Sequence, residues 1–185
     1  MTDSAQQPAD HVEIVDYDPR WPEAYREEHD RLQKATGNIF EKFEHIGSTA
    51  VPGLAAKPII DMMAAVAELA AANDLLPVLA DLGYQVIETG MRNRLFLRKY
   101  GEVTRYHLHI VETATWDDRK ERHLRDYLIA NPGEAEAYGA LKTRLAGEFR
   151  DDSLAYTKAK TGFIQRATDA IRDAKGLPRI DVWED

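Results

Sequence analysis

Three groups of residues have the types and spacing that chemistry requires. The first is Gly47-Ser48 with Thr49 beside it, followed further along the chain by Asp61. A strand that ends at a Gly-Ser turn exposes backbone N–H groups, and the serine hydroxyl adds a donor, so such a turn can cradle phosphate oxygens. An acid on the next apolar strand would lie beside that turn, where it could hold a divalent metal against the phosphates. The same residues also fit a plain tight turn with an edge carboxylate. Asp61 stands out because Ile59, Ile60, Met62, Met63, Ala64 and Ala65 around it are all apolar. A carboxylate on a buried strand is costly unless it is paired, hydrogen-bonded or bound to a metal. A salt bridge to Lys57, or to an arginine across the sheet, is the alternative to a functional role.

The second group is His107-Leu108-His109. On a strand, residues two apart share a face, so both imidazoles leave one side while Leu108 and Ile110 pack on the other. Two such histidines near an acid make a first shell for a borderline metal. They fit equally a solvated face on which the rings stack against aromatic neighbours. The third group is a scatter of cations: Lys57, Arg92, Arg94, Arg98, Lys99 and Arg105 around the strands, with Lys158 and Lys160 near the C-terminus. Cations beside a Gly-Ser turn suit an anionic substrate, although strands also carry arginines on a wet face. Tyr156 and Lys160 lie one helical turn apart. They either wall a pocket, or form a core tyrosine with a lysine snorkelling past it.

Composition narrows the possibilities. The chain has 185 residues, 44% of them apolar, with 24 Lys and Arg against 32 Asp and Glu and a formal charge of −8. That is the size of one domain with a real core. The acidic balance argues against nonspecific binding to a nucleic-acid backbone, though a small basic pocket for one nucleotide is compatible with it. There is no cysteine, which removes disulfides, thiolate nucleophiles and cysteine zinc sites. The apolar stretch Ile59–Leu69 is broken by Asp61 and Glu68, and is far short of a bilayer span of ~20 residues. The polar opening MTDSAQQPAD is unlike a signal peptide, so a cytoplasmic protein is expected, as a monomer or homodimer with no membrane association.

These residues must be positioned by a mixed set of elements. Val12–Tyr17 reads as a weak strand. A helix starts at Asp18 or Pro22 and ends at Gly37-Asn38. Ile39–Ile46 and Ile59–Val66 read as strands flanking the Gly-Ser segment, and Leu69–Leu82 as a helix closed by Gly83. Tyr84–Glu88, Arg94–Tyr100 and Thr104–Val111 read as three further strands, with Gly101-Glu102 as a hairpin turn. Asp117–Ala130, Glu134–Phe149 and Ser153–Ala174 read as helices, separated at Asn131-Pro132-Gly133 and stopped by Gly176-Leu177-Pro178. The expected organisation is a disordered tail over 1–11 and a single domain over 12–175, with a sheet core to 115 and C-terminal helices from 116. A tail follows over 176–185. Strands early and helices late indicate an α+β or mixed α/β fold.

The string HIGSTAVPGLAAKPIID at His45–Asp61 resembles the signature of the GrpB-like family, whose fold is similar to the minimal nucleotidyltransferases related to DNA polymerase β. The resemblance extends through VEIVDYDPRWPEAY, LGYQV, YHLHIVE, LRDYLIANPGEAEAY and YTKAKTGFI. It implies a nucleotidyltransferase-like mixed sheet flanked by helices, a nucleotide or phosphorylated small molecule as ligand, and Mg²⁺ or Mn²⁺ as cofactor. Gly47 and Ser48 match the phosphate-placing Gly-Ser, and Asp61 matches the first metal-binding acid. Lys57, Arg94 and Lys160 are candidates for phosphate or substrate charge. The sequence departs from the wider pattern at Met63, where an Asp-x-Asp motif would need its second acid. It departs again where His107 and His109 stand in place of a third carboxylate. One metal held by Asp61 with His107 or His109 would favour Zn²⁺, Mn²⁺ or Fe²⁺ over Mg²⁺. Three functions follow as alternatives: a metal-dependent nucleotidyltransferase-like enzyme using Asp61 and Ser48, a catalytically degenerate ligand-binding or regulatory module, and an interaction protein.

Overall fold

A computed structural model of the chain describes residues 11–101 and 104–183. The disordered tail expected over residues 1–10, and Glu102 of the expected hairpin turn, lie outside the described residues.

Helix α1 (Trp21–Ala35) has Pro22 in its first turn, and Trp21, Glu28 and Leu32 bury one of its faces. Strands β1 (Lys42–Ile46) and β2 (Ile59–Val66) flank a segment that opens with a 3₁₀ turn at Ser48–Ala50. A second 3₁₀ stretch, Leu69–Leu75, leads into the short helix α2 (Leu76–Asp81). Then come β3 (Gln85–Val86), β4 (Leu95–Tyr100), β5 (Arg105–Glu112) and a 3₁₀ stretch at Thr113–Asp118. Helices α3 (Lys120–Ala130), α4 (Pro132–Glu148) and α5 (Ser153–Lys175) complete the chain.

The strands form one sheet in the order β1-β2-β5-β4-β3. The central pair β2 and β5 is parallel, and the outer neighbours are antiparallel. Buried on both sides, β2 reads as a nearly continuous apolar run rather than an alternating one. The pleat sends Ile60, Met62 and Ala64, with Leu97, Leu108 and Ile110, into a core shared with Trp21 and Leu32 of α1 and with Leu79 of α2. The opposite face carries Asp61, Met63, His107 and His109. At one end of that face Ile46, Met63, Ala65, Val111 and Trp116 pack together. At the other end Asp61 and His107 remain partly accessible. There α4 and α5 pack against Val51 and Leu54, with Tyr138 stacked on Phe163 at 4.6 Å between ring centres. No helix among the described residues is long and apolar enough to cross a membrane.

The mixed α+β architecture expected from the order of elements is present, and several boundaries move for identifiable reasons. Val12–Tyr17 is not a strand, because it makes a single bridge, Val15 to Ala56. The strand expected to begin at Ile39 begins at Lys42, since Phe40 turns into the core while Ile39 stays exposed. The helix expected over Leu69–Leu82 divides at Leu75–Leu76, where Pro77, lacking an N–H, starts a fresh helix instead of continuing one. Tyr84 is buried, and only Gln85–Val86 of the strand expected over Tyr84–Glu88 pairs with β4. Asp117 belongs to a 3₁₀ stretch, so the helix expected from Asp117 starts at Lys120. The described residues after Gly176, expected as part of a tail, are held by contacts to α3 and α5. Lys120 Nζ donates to Val182 O at 2.8 Å, and Gln165 bonds both Ile180 O and the Val182 N–H. His11, expected in the leading tail, lies 2.5 Å from Asp151.

Composition gave no warning of the buried acid on α1. Glu28 is 1% exposed and accepts from Lys99 Nζ at 2.7 Å, Tyr84 Oη at 3.0 Å and Arg31 Nη1 at 3.0 Å. It fastens α1 to the sheet beneath the site. Glu28→Ala would strand the Lys99 ammonium in a poorly solvated position, and the expected cost is about 3 kcal/mol in urea unfolding. A loss under about 0.5 kcal/mol would mean the cluster does not anchor the helix.

Candidate functional site

The site begins at Gly47. Its φ of 71° lies in the left-handed region, where side chains are strained, and a Cβ there would come within 2.5 Å of Asp61 Oδ2. Glycine is therefore required for the turn to lie directly on the carboxylate. Ile46 is the register partner of Asp61, so β1 delivers the turn to that spot. Thr49 locks it from behind. Its hydroxyl donates to Ile59 O at 2.9 Å and lies 3.0 Å from His45 Nε2. With the threonine proton committed to the carbonyl, His45 Nε2 must carry the hydrogen and donate. Burial lowers His45 to about 4, which keeps it neutral and suits this role. Thr49, expected as a phosphate contact, is buried with its hydroxyl engaged in holding the loop.

Asp61 faces His107 in the parallel register, with Nδ1 to Oδ1 at 3.0 Å. Burial works to raise the Asp61 carboxyl, but the effects of its histidine neighbours, led by the hydrogen bond from His107, outweigh it and hold the group below its ordinary value. Asp61 is thus an anion, and His107 Nδ1 donates to it. Phe96 packs against both histidine rings, edge-on to His107 at 5.2 Å and tilted over His109 at 4.7 Å. His109 points toward Arg94, with Nδ1 3.5 Å from Nη1, and burial lowers it to about 4. Arg94 is itself buried and pairs with Glu121 of α3 at 2.5 Å, and it does not line the cavity.

A cavity of about 620 Å³ opens over Ser48 and Asp61 and runs to α4 and α5. Its lining includes Lys57, Arg98, Arg105, Lys142 and Lys160, against the carboxylates of Glu13 and Asp61. An acidic chain has therefore concentrated cations in one concavity. Lys57 Nζ and Lys160 Nζ lie 4.6 Å and 4.5 Å from the centre of the same Tyr156 ring. Tyr156 is both wall and core, lining the cavity while packing on Val12 and Leu145. Lys142 is 2% exposed, with Nζ on Ala55 O at 2.5 Å and 4.8 Å from the Tyr138 ring. Burial, and then the Lys160 charge, lower Lys142 to about 7. Burial, and then the Lys57 charge, lower Lys160 to about 8. Sequence reasoning singled out Lys57 and Lys160 but missed Lys142. The signal was available: Tyr138 and Lys142 repeat on α4 the one-turn spacing of Tyr156 and Lys160 on α5.

The donor set does not fit a two-metal centre. Met63 holds the position two residues from Asp61, and its register partner on β1 is Glu44. Glu44 is clasped by Arg122 at 2.8 Å and Arg125 at 2.7 Å, whose hydrogen bonds hold it below its ordinary value against the opposing effect of burial. Glu121 is committed to Arg94. Among the described residues no group of three or more His, Asp or Glu side chains is placed to hold a metal ion. The set expected from the sequence, Asp61 with His107 and His109, divides into an Asp61–His107 pair and a His109 turned to Arg94.

The model of the GrpB protein family matches residues 11–170. This chain belongs to the GrpB family. YqkA of Bacillus subtilis is 37% identical over 169 residues, which cover 89% of this chain and 49% of YqkA. The chain thus spans about half the length of that relative. The crystal structure of GrpB from Enterococcus faecalis superposes with a TM-score of 0.79 at 35% identity, covering 88% of this chain and 99% of that one. Terminal uridylyl transferase 4 from Trypanosoma brucei with bound GTP aligns with a TM-score of 0.53 at 15% identity, over 92% of this chain and 57% of that one. This GrpB-family chain therefore has the nucleotidyltransferase-like fold that the string at His45–Asp61 implied.

Two measurements check the geometry. Gly47→Ala combines a left-handed backbone with a clash at Asp61, and should cost about 2 kcal/mol or more in urea unfolding. A neutral substitution would mean that the turn does not rest on the carboxylate. Unfolded Lys142 keeps its proton up to the ordinary lysine range, whereas native Lys142 loses it near 7. Between those limits the unfolded chain binds more protons, so this residue's contribution to stability rises with pH. Lys142→Met should therefore flatten the rise in melting temperature between pH 7 and pH 9. An unchanged slope would show that Lys142 titrates normally.

Proposed function

We propose that this chain binds a nucleotide or a phosphorylated small molecule in the cavity between the Gly-Ser turn and helices α4 and α5. The observation that carries the reading is the charge of that cavity, lined among the described residues by five lysines and arginines and two carboxylates in a chain of net charge −8. A concave site with converging cations raises the local concentration of anions and pairs with phosphate oxygens. Gly47-Ser48 supplies a tight turn and a hydroxyl at the rim beside Asp61. The fold neighbour that holds GTP makes nucleotides the first ligands to try.

On this reading the protein is a ligand-binding module on a nucleotidyltransferase-like scaffold, because among the described residues no set of carboxylates is placed for two metals and Asp61, Glu44 and Glu121 are already paired. A second reading, group transfer, is favoured by one specific contact. Ionised Asp61 holds a proton on His107 Nδ1, which leaves Nε2 able to accept a proton from a ligand hydroxyl. In that role His107 is the base and Asp61 fixes its tautomer.

Thermal unfolding of the purified chain with a panel of nucleotides and sugar phosphates tests the proposal. Saturation at 100 times Kd stabilises by about 2.7 kcal/mol, a rise of several degrees. No shift with any phosphorylated compound, alongside an intact fold, would refute it. Product analysis of the mixtures separates the two readings. Turnover that His107→Gln abolishes supports transfer, and binding without turnover supports the module.

A further inference from the structure

The positive charge in the cavity is arranged around three lysines from three separate segments. Lys57 comes from the loop before β2, Lys142 from α4 and Lys160 from α5. Lys57 and Lys160 share the Tyr156 ring, and Lys57 Nζ also lies 3.4 Å from Ser153 Oγ. Lys142 is almost completely buried, and the partners of its ammonium are a carbonyl oxygen and an aromatic face. Among the described residues neither Lys142 nor Lys160 makes an ion pair with a carboxylate. Burying like charges together without a counter-ion is unfavourable, and the lowered proton affinities of Lys142 and Lys160 express that cost. The acids that would otherwise recruit a metal to this face, Glu44 and Glu121, are neutralised by Arg122, Arg125 and Arg94. The cavity has the cations that a polyanion needs, and among the described residues no group of three or more His, Asp or Glu side chains is placed there to hold a metal.

We infer that Lys57, Lys142 and Lys160 form a metal-independent subsite for the di- or triphosphate part of a ligand, supplying directly the charge that a divalent cation supplies elsewhere. The inference rests on the cavity reading above and sharpens it. A phosphate chain among the three amino groups would give Lys142 a counter-charge and draw it back into its protonated form. A metal-chelated phosphate chain, with part of its charge already cancelled, would fit this subsite less well.

Isothermal titration of the full chain at pH 7.5 tests this, with inorganic triphosphate and ATP as probes, in EDTA and again in excess Mg²⁺. The expected result is binding in EDTA at least as tight as in Mg²⁺. Lys160→Met and Lys142→Met should each weaken it tenfold or more, with native circular dichroism in both variants. Lys160 is the less buried of the two and the safer variant for folding. Binding that requires Mg²⁺ or Mn²⁺ would overturn the inference while leaving the cavity reading intact. Binding in EDTA that both variants retain would also overturn it, because the phosphates would then sit elsewhere. Absence of binding in either buffer would overturn the inference, and the cavity reading would fall with it only if the wider panel of nucleotides and sugar phosphates also gave no shift.

Discussion

An ionised carboxylate in the middle of an apolar strand must find a partner, and the pairing of Asp61 sets the geometry of everything around it. β2 is apolar and largely buried along its length, and Asp61 reaches solvent only where the cavity opens over it. The parallel register places His107 opposite, and the imidazole donates to it at 3.0 Å. The antiparallel register places Ile46 on the other side, and the chain must turn at Gly47 in a conformation that leaves no room for a side chain. The loop that follows is then held by Thr49 and His45, and its continuation through Val51 and Leu54 forms the bed for α4 and α5. One carboxylate thereby links the sheet, the Gly-Ser turn and the helical layer that closes the cavity.

The charges on this face are divided between two regions. Toward α3, acids and arginines are matched: Glu44 with Arg122 and Arg125, and Glu121 with Arg94. Toward α4 and α5, Lys142 and Lys160 come together, and among the described residues neither pairs with a carboxylate. The first arrangement is self-sufficient and holds α3 against the sheet. The second is costly in the absence of a ligand, and a cost of that kind at a cavity is a common mark of a binding site. The nucleotidyltransferase-like fold supports the reading at the level of architecture. The chemistry belongs to these particular residues, and the fold alone does not supply it.

Much of this was legible in the sequence. The Gly-Ser turn, the isolated acid in IIDMMAAV and the shared face of His107 and His109 follow from residue type and period, and the structure brings Gly47, Ser48, Asp61 and His107 together. The split of Leu69–Leu82 was signalled by Pro77, whose missing N–H outweighed the helical period of its neighbours. What the sequence hid was long-range pairing. Glu28 looks like any solvent-facing acid of a charged helix until Lys99 and Tyr84 are brought to it. Arg94 looks like the wet side of a strand until Glu121 arrives from α3. Lys142 looks like an ordinary helical lysine, and only the packing of α4 against the Ala55 carbonyl buries it. Such pairings depend on which elements meet, and local periodicity carries no information about that.

The most direct test of the account is a crystal structure of the chain soaked with ATP in the presence of EDTA. The account predicts phosphate density beside the Nζ atoms of Lys142 and Lys160, near the Tyr156 ring. Asp61 should remain on His107, with no metal peak between carboxylate and phosphate. Phosphates lying away from these lysines, or an empty cavity at saturating ATP, would contradict it.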